Sequence, residues 1–333
     1  MRFVVRGLKW LGIGLAVLLV TGAVYQQIGL LLDWRPPSSD MLKLDGGAVH
    51  LACRGTGRRT FVLDAGAGAG VFEWFRLVPL LARSGRVCAF DRAGLGWSDP
   101  AGAGADALTA SDRLAALVRK ARIATPFVYV GHSLGANFAE VYRDRHPADV
   151  SALVLIEPGV PEDLLEDFHG SRAEAMAASD CDLTCYAAVA ATALGVVRLS
   201  SLAVGHKNLD DAHRSLYRAF LARPTSLMTA LASLNAAVKT AYEDLDVHDY
   251  GDTPLVVLAS SDPLAGGAFG KVPDYPAWRA RQLRYFASLA AKSSHGLGPV
   301  VVPDSTHASI VLGAAQSEMV ARTITTFLDK SGL

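Results

Sequence analysis

The stretch Phe127-Val128-Tyr129-Val130-Gly131-His132-Ser133-Leu134-Gly135-Ala136-Asn137-Phe138-Ala139-Glu140-Val141-Tyr142 decides how this 333-residue chain is read. Its β-branched and aromatic start suits a strand, its Ala- and Glu-containing end suits a helix, and Gly131-His132-Ser133-Leu134-Gly135 lies between them. A serine on so sharp a turn is forced into a crowded backbone conformation that only small neighbours allow, which accounts for Gly131 and Gly135, and its hydroxyl projects outward. In a chain with 31 glycines the pentapeptide alone could be an ordinary turn, so its place between strand and helix carries the weight.

Outward from this turn, further strands are expected at 48–53, 60–63, 87–90, 152–156, 255–259 and 299–302, separated by Gly-rich turns and Ala/Leu-rich helical stretches. That rhythm favours parallel βαβ units. Continuous runs such as Leu153-Val154-Leu155-Ile156 and Val300-Val301-Val302 suit strands buried on both faces. The expected class is therefore α/β, a mostly parallel sheet doubly covered by helices. Residues 158–250 change to helical periodicity (Leu216, Phe220, Leu227, Leu231, Leu234) and read as an inserted helical cap. It divides the body into a first core part, 35–157, and a second, 251–333.

Two more Gly-rich segments follow strands: Leu63-Asp64-Ala65-Gly66-Ala67-Gly68 and Asp91-Arg92-Ala93-Gly94-Leu95-Gly96-Trp97-Ser98-Asp99. A nucleotide-binding GxGxG loop at Gly66, Gly68 and Gly70 lacks the acidic residue expected at the end of the next strand, since Asp91 belongs to a Gly-rich turn. Late in the chain, Ser260-Ser261-Asp262-Pro263 follows the strand at 255–259 and Pro303-Asp304-Ser305-Thr306-His307 follows the one at 299–302.

With these motifs the sequence resembles the α/β-hydrolase family, from about Leu44 to the C-terminus apart from the insertion. The resemblance implies a serine nucleophile at Ser133, an acid at Asp262 and a base at His307, in the family's chain order. It also implies oxyanion donors on the backbone N–H groups of Ala67 and Leu134. The chain departs from the family's common His-Gly pair, with Ala65 before Gly66. Asp262 before Pro263 could instead be a helix N-cap, and Glu157, directly after the strand at 152–156, is the alternative acid. His295 precedes the last strand, His248 precedes the acid, and His132 adjoins the nucleophile but should point away from it and pack beneath the turn.

The implied chemistry is cleavage of an ester or related acyl bond through a Ser133 acyl-enzyme. A serine hydroxyl is a weak nucleophile until a positioned imidazole accepts its proton and a carboxylate fixes that imidazole's tautomer. No cofactor and no metal are needed. Dehalogenases and epoxide hydrolases of this fold would place aspartate where Ser133 stands. The alternative from another class is a catalytically silent, membrane-bound ligand-binding protein of the same fold. Leu, Ala, Phe and Met in the cap suggest an apolar small-molecule substrate.

At the N-terminus, Arg2, Arg6 and Lys9 precede an uncharged stretch, Trp10 to Leu32, interrupted by Gln26 and Gln27, which is long enough to span a bilayer. Trp10, Tyr25 and Trp34 sit where interfacial aromatic residues belong, and the basic residues favour the cytoplasmic side. Residues 1–34 are thus expected to be a single-pass transmembrane helix in the lipid bilayer with the catalytic body extracytoplasmic. The alternative is secretion after signal-peptide cleavage near Thr21-Gly22-Ala23.

The remaining composition excludes more than it assigns. With 32 basic and 32 acidic residues, nucleic acid is not an expected partner, and 51% apolar content excludes disorder. Cys53, Cys88, Cys181 and Cys185 lack zinc-site spacing. An oxidising compartment would permit a Cys181–Cys185 disulfide, and the alternative is two buried thiols.

Overall fold

A computed structural model describes residues 2–33, 35–100, 102, 104–165, 168–200, 209–247, 249–264 and 272–333. Trp34 and His248, named above, lie outside these residues. Eight strands, β1 (Met41–Leu44), β2 (Gly47–Arg54), β3 (Thr60–Asp64), β4 (Arg86–Phe90), β5 (Phe127–His132), β6 (Val150–Ile156), β7 (Leu255–Ser260) and β8 (Gly296–Val302), form one sheet in the order β1-β2-β4-β3-β5-β6-β7-β8. β2 runs antiparallel to β1 and β4, and the strands from β3 onward pair in parallel. β1 went unread in the sequence because its four residues, MLKL, form half of a short hairpin on the sheet's edge.

Alternation within each strand feeds two cores. Phe127 and Tyr129 of β5 point into one, with Leu153, Leu155 and Phe286, while Val128 and Val130 point into the other, with Phe61, Leu63, Trp74 and Ile324. An N-terminal helix, α1 (Arg2–Leu32), precedes the sheet, and α2 (Leu77–Leu81), α3 (Ala107–Ala121) and α4 (Leu134–Arg145) lie among its first strands in sequence. Between β6 and β7 come α5 (Pro161–Leu165), α6 (Arg172–Ala177), α7 (Leu183–Ala193), α8 (Val196–Ser200), α9 (Asp211–Leu221), α10 (Pro224–Asn235) and α11 (Ala237–Leu245). The chain ends with α12 (Tyr275–Ala291), α13 (Ser309–Leu312) and α14 (Ala314–Lys330).

Of the two readings of Cys181 and Cys185 the thiol one holds, with Cys185 buried and Cys181 half-buried. Cys181 and Cys185 are free thiols, and the disulfide joins Cys53 to Cys88. These two residues lie 35 apart in sequence but directly opposite each other in the antiparallel β2–β4 register. Proximity in sequence misled because cross-strand pairing had brought together cysteines from different strands.

Candidate active site

Ser133 sits between β5 and α4 with φ 52° and ψ −127°, a conformation costly for any residue but glycine. Its N–H donates to the Ile156 carbonyl at 2.9 Å, fixing the turn to the neighbouring strand. The flanking glycines are steric requirements. A Cβ on Gly131 would strike the Gly135–Ala136 backbone, and one on Gly135 would strike the Asp64 and Ala65 carbonyls at the end of β3. Leu134 is the first residue of α4, so its N–H has no partner within the helix.

The loop after β3 is held from two sides. Arg92 pairs with the buried Asp64 and donates to the carbonyls of Ala65 (2.5 Å) and Gly66 (2.6 Å), while Tyr129 donates to Asp64 at 3.0 Å. Burial pushes the Asp64 carboxyl up, against the opposing pull of Arg92. On the other side the Gly66 N–H donates to Glu73 at 2.9 Å. Ala67, the residue assigned an oxyanion N–H, follows immediately, and Gly66 packs close to Ser133, where an added Cβ would lie 3.3 Å from the serine Cβ.

Glu73 also binds His132 Nδ1 at 2.8 Å, and His132 Nε2 lies 3.0 Å from the His307 carbonyl. An acceptor at each ring nitrogen suits the doubly protonated imidazolium. Burial opposes that charge, but Glu73 outweighs it and the His132 pKa is raised. His132 therefore ties the elbow to the His307 loop from below. The sequence reading missed Glu73, whose signal was a lone carboxylate inside the apolar run Val71-Phe72-Glu73-Trp74-Phe75. It also missed the anchoring role of Asp91, which is buried, accepts from the N–H groups of Val71 (2.8 Å) and Trp97 (3.2 Å), and contacts His50 at 2.7 Å.

The loops after β7 and β8 are stitched together. The Asp262 N–H donates to the Ser305 carbonyl at 2.9 Å, and the Ser261 N–H donates to the Ser305 hydroxyl at 3.0 Å. This brings the Asp262 and His307 segments side by side. The Asp262 side chain is exposed and accepts from the Tyr275 hydroxyl at 2.9 Å. His307 is partly buried, its ring 4.9 Å from that of His132. Burial, then the nearby His132, pushes its pKa well below the ordinary imidazole range.

Glu157 differs from Asp262 in its surroundings. It is 1% exposed, has φ 48°, accepts from the Ser260 N–H and faces Arg279 at 3.4 Å. Burial raises its pKa, while Ser260 and Arg279 oppose the rise. Its carboxylate is thus engaged in holding the end of β7.

A cavity of 1080 Å³ lies against Asp64, Arg92 and Phe138 and extends to Tyr186, Met228 and Lys239 of the inserted helices. Ser133 and His307 are not among its lining residues. Among the described residues, no cluster of His, Cys, Asp and Glu could hold a metal ion.

A family model for the alpha/beta hydrolase fold matches residues 60–184. The chain is similar to an uncharacterised protein of Schizosaccharomyces pombe, 33% identical over 81 residues, which are 24% of this chain and 15% of that protein. It thus spans a small part of this curated relative. Solved structures similar to it include the epoxide hydrolase CorEH, with TM-score 0.62 and 16% identity over 87% of this chain and 98% of that one. An esterase from Thermogutta terrifontis is also similar, with TM-score 0.57 and 17% identity over 87% and 98%. The sheet order, the elbow between β5 and α4 and these likenesses together establish that the chain has the α/β-hydrolase fold.

Proposed function

We propose that the chain is a membrane-tethered serine hydrolase that cleaves an ester or related acyl bond. Ser133 Oγ adds to the acyl carbon while His307 takes its proton. The resulting oxyanion is met by the N–H groups of Ala67 and Leu134. The bond to the leaving alcohol then breaks as His307 returns the proton to the alkoxide. Water, deprotonated by the same imidazole, attacks the acyl-enzyme and releases the carboxylic acid and free Ser133. Asp262 is assigned the orienting carboxylate. The observation that carries this reading is the strained backbone of Ser133, at φ 52°, which presents a hydroxyl from the junction of β5 and α4.

Epoxide hydrolase chemistry, the activity of one fold neighbour, calls for aspartate at the elbow in this fold, and this chain has serine there. An esterase reading accords with that residue. The substrate is proposed to be a small apolar ester. The second reading, ligand capture without catalysis, draws on the 1080 Å³ cavity, whose lining lacks Ser133 and His307.

Covalent labelling separates the two. A fluorophosphonate is expected to modify the full chain and to leave Ser133→Ala unmodified. Folded wild-type protein that resists labelling, or a Ser133→Ala variant that still labels, would overturn the hydrolase assignment.

The tether is α1, where Phe3–Leu32 is a 30-residue apolar stretch containing an 18-residue window of mean hydropathy 1.9. The Cys53–Cys88 disulfide supports an extracytoplasmic catalytic body, because such bonds persist in oxidising compartments. Secretion after cleavage near Thr21-Gly22-Ala23 is the other outcome, and the mass of the mature N-terminus distinguishes them.

A further inference from the structure

α1 is exposed on all sides from Phe3 to Val20, but from Gly22 onward one stripe of it is covered. Gly22, Gln26, Gly29 and Asp33 recur at helical spacing and face α7 and α8. A Cβ on Gly22 would strike the Leu194 carbonyl, and one on Gly29 would strike the Arg198 guanidinium. Gln26 is fully buried, donating to the Ala222 carbonyl at 2.6 Å and accepting from Arg198 Nε at 3.0 Å. Arg198 then grips both carboxylate oxygens of Asp33, at 2.9 and 2.6 Å. These polar contacts satisfy one another.

The depth of this junction is fixed by helix geometry. Arg6 and Lys9 keep the start of the helix at the polar surface, so the apolar crossing begins near Trp10. Gly22 lies roughly 18 Å further along at 1.5 Å per residue, within a hydrocarbon core of roughly 30 Å. The α1–α7 contact therefore falls in the half of the bilayer away from the basic end.

The helices brought to that depth are apolar on their outer side. Between Leu183 and Ser200 the charged residue is Arg198, already paired with Asp33. The outward side chains are Leu183 (82% exposed), Val196 (54%) and Leu199 (63%), interspersed with exposed alanines, while Tyr186 (61%) borders the cavity. Such a surface in water is an interaction site. It adjoins α1 where Leu194 meets Gly22 and Arg198 meets Gly29, and the exposed apolar residues of α1 point to lipid as what covers it.

We infer that the α7–α8 pair seats in the non-cytoplasmic leaflet beside α1, so that the inserted helices rest on the lipid bilayer rather than hang from a flexible tether. This rests on α1 being retained as a membrane anchor. It requires nothing of the catalytic assignment.

Nitroxide labels placed by Leu183→Cys, Val196→Cys or Leu199→Cys, in a Cys181→Ser/Cys185→Ser background of the full chain, test it in phosphatidylcholine vesicles. Val17→Cys supplies the lipid reference and Asp211→Cys the water reference, and circular dichroism checks that each variant is folded. The three positions are expected to collide with oxygen in preference to a water-soluble nickel chelate, as at Val17. Labels at 183, 196 and 199 that behave like the one at 211, with 17 still in lipid, would overturn the docking and leave the anchor standing. A label at 17 in water would overturn both. Shielding from both reagents with dipolar broadening would mean that a second copy covers the face, and would also overturn the inference.

Discussion

At the scale of single residues, the two candidate acids predict different losses. Asp262 is exposed on a loop tied to the His307 segment, so Asp262→Asn should lower kcat by at least 100-fold with little change in unfolding temperature. Glu157 is buried against Arg279, and Glu157→Gln leaves that guanidinium without its countercharge. It should cost about 3 kcal/mol of stability, by the range for broken buried pairs. Turnover and urea midpoints of the two variants check the assignment, and a larger kcat loss in Glu157→Gln would reverse it. The base carries its own signature. In the proposed mechanism neutral His307 is the competent form, and burial depresses its pKa, so activity should persist below pH 6.5 and disappear only as pH falls through the depressed value. The same shift has a defined sign for folding. The native state binds fewer protons than the unfolded chain below pH 6.5, so His307 withdraws stability as pH falls through that region. A pH–rate profile on a p-nitrophenyl ester with an acid limb at or above 6.5 would count against His307.

At the scale of elements, the joint between the inserted helices and the sheet layer is a buried acid cluster. Asp244 of α11 accepts from Asn137 of α4 at 2.8 Å and from Tyr285 of α12 at 3.2 Å. Glu140 of α4 accepts from Tyr250 and lies 3.9 Å from Lys292. Burial lifts Asp244 from 3.8 to about 6 and raises Glu140 well above its ordinary range. A carboxyl raised on folding keeps its proton where the unfolded chain has lost it, so this joint should lose stability as pH rises from about 4 to about 6. Asp244→Asn should flatten that dependence in urea titrations across this range, and an unchanged slope would show that the joint does not titrate there. None of this was legible in the sequence, because carboxylates on α4 and α11 are more than 100 residues apart and only the tertiary fold brings them together. The strands around Ser133 were legible because continuous runs such as 152–156 have one physical use, a strand buried on both faces. The elbow was legible for a similar reason, since Gly131 and Gly135 are sites where a Cβ collides with backbone. Glu73 and Asp91 escaped notice because each joins a backbone N–H, which leaves no mark in residue identity, to a histidine 59 or 41 residues away that only the fold brings near.

At the scale of the whole molecule, two long-range links bind parts that the chain order keeps separate. The Cys53–Cys88 bridge closes a 35-residue separation, which by loop-closure entropy corresponds to roughly 4 kcal/mol. Cys53→Ala/Cys88→Ala should therefore shift the urea midpoint strongly, whereas Cys181→Ser, outside any bridge, should not. The second link is the grip of Arg198 on Asp33, and it decides whether α1 is a tether or a structural member of the body. Both side chains are 12% exposed, so their attraction is poorly screened, and removal of either strands the other. A surface pair would couple by less than about 1 kcal/mol. In a double-mutant cycle of Asp33→Ala and Arg198→Ala, measured by denaturant unfolding of the full chain in detergent micelles, the coupling should exceed about 1.5 kcal/mol. That result would mean that α1 and the inserted helices unfold as one unit. Coupling near zero would mean that α1 is no structural member of the body.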